Sequence, residues 1–171
     1  MDERTSYEDD FYGWTQDQAE VLRSMRDRPG LPNGLDLEHV IEEIEGVGSS
    51  QLSAVESFLR LILVHLIKAA SSASTDPKGH WRAEIVGFHA DLLGRYSPSM
   101  RQNINVDRIW RRALEQARLA LAAQDETLAR GFGPECPFQL DDFLGESVSL
   151  EKLAARAQDA GRGSPPVEAP G

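Results

Sequence analysis

Apolar residues along this chain recur at spacings of three and four, and no run alternates apolar with polar residues between turns, so the pattern predicts helices and no strands. Thr15 followed by Gln18 forms a capping-box pattern opening a first helix to about Arg28, just after the aromatic group Phe11, Tyr12 and Trp14. PGLPNG, residues 29 to 34, breaks it. Asp36 caps a second helix that runs to about Val47, where Gly46 and Gly48 predict a bend before a long third helix from about Ser50 to Ser72. The polar turn SSASTDPKG precedes a fourth helix from about Lys78 to Tyr96, stopped by Ser97-Pro98. A fifth helix spans about Asn105 to Ala129. Gly131 to Pro137 reads as a loop, Leu140 to Leu144 as one helical turn, and Ser149 to Ala160 as a frayed amphipathic helix.

These elements predict an all-α fold, an antiparallel helical bundle of about four to five main helices around a central, buried long helix. The expected domain organisation is a single helical domain over 1–144, then a C-terminal extension over 145–171 with a short helix and a disordered tail, GRGSPPVEAPG. The most apolar run, FLRLILVHLIKAA from Phe58 to Ala70, falls short of the roughly 20 residues a bilayer requires and carries Arg60, His65 and Lys68. It reads as a buried helix, with no membrane partner.

Composition narrows the picture further. With 171 residues, 40% hydrophobic and 27% charged, the chain can bury a core without disulfide or metal staples. A formal net charge of −10 repels nucleic acid and anionic lipid at long range, which argues against either as a partner. The start, MDERTSYEDDFYGW, has neither the basic nor the apolar region of a signal peptide, and the single cysteine, Cys136, excludes an internal disulfide. Both features suit the reducing cytoplasm. Cys136 lies between Pro134 and Pro137 without the electropositive setting of an activated thiolate, and reads as a turn residue.

The order and spacing of DFYGWT (10–15), LEHVIEEIEGVG (37–48), VESFLRLILVHLIK (55–68), HWR (80–82) and PECPF (134–138) resemble the domain of unknown function 29 family over about residues 7 to 144. The resemblance implies a small helical bacterial protein. It implies no activity, and the family offers no catalytic or binding residues to carry over.

Candidate chemistry concentrates on three helices. In the second, Leu37, Val40, Ile41, Ile44 and Val47 share one side at about 100° per residue, which turns Glu38, His39, Glu42 and Glu43 outward as a solvated face. A di-metal site in a bundle needs Glu and Glu-x-x-His ligands projecting inward from several helices, a pattern this face lacks. Glu45 sits at the edge of the apolar arc and requires a cation from another helix. In the third and fourth helices, His65 and His89 lean inward. If the two are antiparallel, positions summing to about 151 lie level, placing Lys68 near Arg82 and His65 within about one turn, some 5 Å, of His89. Two readings of this cluster of Glu45, His65, Lys68, Arg82 and His89 compete. One is a metal or acid/base pair, since neutral imidazoles bind zinc or iron and titrate near neutrality. The other is a pair of core histidines bonded to backbone carbonyls or carboxylates, favoured because two ligands do not complete a metal site. His80 reads as a surface residue.

In the fifth helix Val106, Ile109, Trp110, Ala113, Leu114, Ala117, Ala120 and Leu121 line one face, and Arg108, Arg111, Arg112 and Arg118 line the other with Glu115 among them. This basic stripe is either a solvated face with weak i,i+3 and i,i+4 pairs or a docking surface for an acidic partner. No phosphate loop, hydrolase order, CxxC or HExxH occurs, and no metal or cofactor is implied. The leading expectation is therefore a non-enzymatic protein-interaction module, with an unknown protein or a second copy as partner. The alternative is a metal-dependent enzyme or metal-binding protein using the inward histidines and a carboxylate.

Overall fold

The computed structural model of the chain describes residues 7–145 and 149–163. Among these, every regular element is helical: α1 (Phe11–Arg23), α2 (Leu37–Ser71), α3 (Asp76–Arg95), α4 (Val106–Ala122) and α5 (Leu150–Arg162), with 3-10 turns at Pro98–Asn103 and Leu140–Phe143. The all-α class predicted by the periodicity is the class observed. The tail expected to be disordered falls mostly on 164–171, outside the described residues. No helix among the described residues is long and apolar enough to cross a membrane.

The chain divides into two compact units. The first holds the described residues up to Glu56 together with Arg95–Ile104, and the second holds Ser57–Gly94 together with the described residues from Asn105 onward.

In the first unit, α1 opens at Phe11 and not at Thr15, because Asp10 is the cap: its Oδ1 accepts from the Gly13 amide at 2.8 Å. The same carboxylate accepts from the Ser99 amide at 2.8 Å and the Ser99 hydroxyl at 2.7 Å, so one buried acid satisfies donors from two segments. Thr15 is instead buried within α1, its hydroxyl donating to the Tyr12 carbonyl at 2.7 Å. The bend expected at Gly46 and Gly48 is absent, and α2 is one continuous helix of 35 residues. An interior glycine costs only about 1 kcal/mol relative to alanine, too little to break a helix fixed along its length by packing. Gly48 has a different purpose. A Cβ there would lie 2.3 Å from Thr15 Oγ1, so glycine is what lets α1 approach α2. Leu37 and Ile41 of α2 bury against Ala19, with Leu22, Met25, Leu31 and Ile44 packed around them. Val40 and Val47, expected in the same arc, are exposed, so the apolar face is narrower than the sequence suggests.

In the second unit the stretch of α2 from Leu59 to Ile67 supplies Leu59, Ile62, Leu63, Val64, Leu66 and Ile67, all buried, which means apolar neighbours on every side. Helix α3 returns antiparallel beside it, burying Trp81, Ile85 and Leu92. Asn105 caps α4 by accepting from the Arg108 amide at 2.8 Å. That helix stops at Ala122, short of the expected Ala129, where the chain turns through Asp125 at φ 57°, a left-handed conformation that Asp tolerates better than most residues. Trp110 reaches Phe132 and Phe138, and Phe138 reaches Phe143, in edge-to-face contacts at centroid distances of 5.6, 6.2 and 5.6 Å. Ser149 caps α5, which buries Leu153 and Ala157, and Arg156 holds Asp142 at 2.6 Å beside the Phe138 ring. Near its C-terminus the Gly131 amide donates to the Gly161 carbonyl at 2.9 Å.

Candidate functional site

A polar cluster in the second unit lies where α2 and α3 face each other. His65 on α2 points its Nε2 at Glu84 Oε2 of α3, 2.8 Å away, and its Nδ1 at the Leu61 carbonyl one turn back, 2.7 Å away. The Phe88 ring packs against the imidazole at a centroid distance of 5.6 Å. His80, one turn before Glu84 on α3, brings its own Nε2 to 3.4 Å from the same Oε2. Glu84 therefore joins a buried histidine to an exposed one. Lys68, the next turn of α2, lays its ammonium over the Trp81 ring at 4.4 Å to the centroid. Burial pushes the Lys68 pKa down, partly offset by the charge of Glu84.

Apart from Lys68, the other residues singled out from sequence lie outside this cluster. Lys68 stands over Trp81, one position before Arg82. Arg82 is exposed, and with Lys78 it lines a cleft shared by Leu66, Ile85 and, from α5, Ala154. His65 and His89 do not share a partner: His89 is buried and bonds through Nε2 to the Phe143 carbonyl at 3.0 Å. Glu45 belongs to the first unit, where it pairs with Arg23, the cation from another helix that its position demanded. The outward face of α2 carries Arg26 bound to Glu38 through two contacts of 2.7 and 2.6 Å, and His39 bound to Asp36 at 2.6 Å. Among the described residues no group of three or more His, Cys, Asp or Glu side chains is placed to hold a metal ion.

Sequence reasoning missed Glu84, the residue that organises the cluster. Its signal was the i,i+4 spacing from His80, which puts both side chains over the same patch of α3.

The four arginines of α4 are all exposed. Arg118 is held by Glu115 through two contacts of 3.0 and 2.6 Å, which raises the arginine's pKa and lowers the acid's through hydrogen bonding and charge. Arg111 and Arg112 have no carboxylate partner among the described residues. Leu119, on the same helix, is likewise largely exposed.

An all-helical chain with these polar features matches a described family. Residues 6–148 fit the domain of unknown function DUF29, and the chain belongs to that family. A solved structure of an α-helical protein of unknown function from Rhodospirillum rubrum ATCC 11170 is similar to it, with 38% sequence identity and a TM-score of 0.85, covering 90% of this chain and 98% of that one. No curated protein matches. Neither the family nor the solved relative has an assigned function.

Proposed function

We propose that the chain is a non-enzymatic protein-interaction module of the cytoplasm that receives an acidic partner on the exposed face of α4. The observation that carries this reading is the pair Arg111 and Arg112, exposed and without a carboxylate partner among the described residues, in a chain of net charge −10. A local positive stripe against a negative background steers an acidic surface to one orientation, and guanidinium groups suit fixed, bidentate contacts to carboxylates. Arg108 lies on the same face, and the exposed Leu119 adds apolar area beside it. Arg118 contributes less, since Glu115 already occupies it. A second copy could be the partner through the acidic face of α2. Glu42 and Glu43 are the groups it offers, because Glu38 is already bound by Arg26.

The test compares wild type with an Arg111→Glu/Arg112→Glu variant by light scattering and by pull-down from native extract, at low and moderate salt. Both substitutions lie on a water-facing surface and leave helix content unchanged. A salt-sensitive association that the folded variant loses supports the reading. Unchanged oligomeric state and unchanged partners in the folded variant overturn it.

A further inference from the structure

The hydrogen bonds of His65 leave one proton to be placed. A peptide carbonyl can only accept, so the Nδ1 that lies 2.7 Å from the Leu61 carbonyl carries a hydrogen. A neutral imidazole has no second one, and its Nε2 would then aim a lone pair at Glu84 Oε2 across 2.8 Å. An ionised carboxylate oxygen is likewise only an acceptor. Two acceptors opposed at that distance repel, and with the His65 side chain only 10% exposed, water has little room to intervene. One more proton must therefore lie between nitrogen and oxygen. The count is the same whether the pair is written as imidazolium and carboxylate or as imidazole and carboxylic acid. The Lys68 ammonium, whose charge interacts with Glu84, favours the first form.

We infer that His65 and Glu84 form a proton-binding site between α2 and α3, and that His80 exchanges its proton with solvent. His80 is suited to the second role because its side chain is 72% exposed while its Nε2 lies 3.4 Å from the oxygen that faces His65. On release, the Nε2–H bond of His65 breaks as a bond forms to Glu84 Oε2. The proton then passes from that oxygen to a neutral His80 Nε2 and from there to water, with no electron transfer. Among the described residues, Lys68 from α2 and His80 from α3 are the charged and titratable groups that interact with Glu84 beside His65, and Phe88 packs on the imidazole. This site is independent of the α4 face.

Nuclear magnetic resonance of the full chain, with ring-15N histidine and carboxyl-13C glutamate, reads the proton directly at neutral pH. Hydrogens on both ring nitrogens of His65, or a protonated Glu84 carboxyl beside a bare Nε2, supports the site. A ring with a single hydrogen, on either nitrogen, beside an ionised Glu84 overturns it. In Glu84→Gln the amide donates to Nε2, so a ring that is doubly protonated in the wild type should lose one hydrogen at unchanged pH, and a ring that stays doubly protonated contradicts the inference. His80→Asn should leave the proton in place but slow its exchange with water, and an unchanged exchange rate removes His80 from the path. If the Gln variant fails to fold, the wild-type spectrum decides alone.

Discussion

Gly46 and Gly48 stand two positions apart in α2, and alanine should have opposite effects at the two. At Gly46 a Cβ meets nothing within 4 Å, so Gly46→Ala keeps only the helix-propensity gain of about 1 kcal/mol. At Gly48 the same gain is opposed by a methyl placed 2.3 Å from Thr15 Oγ1 and 3.3 Å from Thr15 Cβ. Thr15 cannot yield easily. It is 1% exposed, its hydroxyl is committed to the Tyr12 carbonyl, and a β-branched side chain in a helix has few rotamers. Relieving the overlap requires α1 to move, and overpacking of this kind costs about 1–3 kcal/mol. Gly48→Ala should therefore range from neutral to about 2 kcal/mol destabilising, and should fall below Gly46→Ala by about 1–3 kcal/mol. Urea melts of both variants with an unchanged m-value measure the difference. Adding Thr15→Ala to Gly48→Ala should recover part of the loss, because the two side chains occupy the same space. If Gly48→Ala stabilises as much as Gly46→Ala, the close approach of α1 to α2 is not what holds a glycine at 48.

Leu59 and Leu66 are fully buried in α2, and each change to alanine should cost about 2–5 kcal/mol in the same melts; losses below about half a kcal/mol at both would contradict a central position. Burial, aided by Asp107 and Asp142, pushes the Cys136 thiol from 9.0 up to about 11. The folded pKa lies above the unfolded one, so the stabilisation from keeping the thiol neutral is present below 9.0 and is lost as pH rises through about 11. At pH 8 a thiol reagent should modify the native protein about a hundredfold more slowly than the denatured protein, through the smaller thiolate fraction, and equal rates would refute the buried setting.

Most of the helices were legible because their signals are local. Asn105 reads as a start because its side chain can reach an amide three residues on, and FLRLILVHLIKAA reads as core because no face of it is polar. Two of the misreadings concern partners distant in sequence. Thr15 has the form of a cap, but Asp10 wins because it also satisfies Ser99, which no pattern near residue 10 reveals. Gly48 resembles a breaker until Thr15 is seen beside it. The candidate site was half visible for the same reason. Inward histidines follow from helical periodicity, and Glu45's need for a cation follows from its place at the edge of the apolar arc. Which residue meets His65, by contrast, depends on the register of α3 against α2. A displacement of a residue or two there exchanges an anticipated His89 for Glu84.

The family match ends at residue 148, yet the chain continues into a helix that packs into the second unit through Leu153 and Ala157. Gly131 lies so near the end of α5 that a Cβ would meet the Gly163 nitrogen at 2.1 Å, and Ala154 lines a cleft with the apolar Leu66 and Ile85. The end of the family match is therefore not a place to cut. A fragment designed to stop at 148 would strip one wall from the core, leave Phe138 without Arg156, and present solvent with surface that α5 covers. For expression, crystallisation or fusion to another protein, the natural unit of handling extends at least through Gly163.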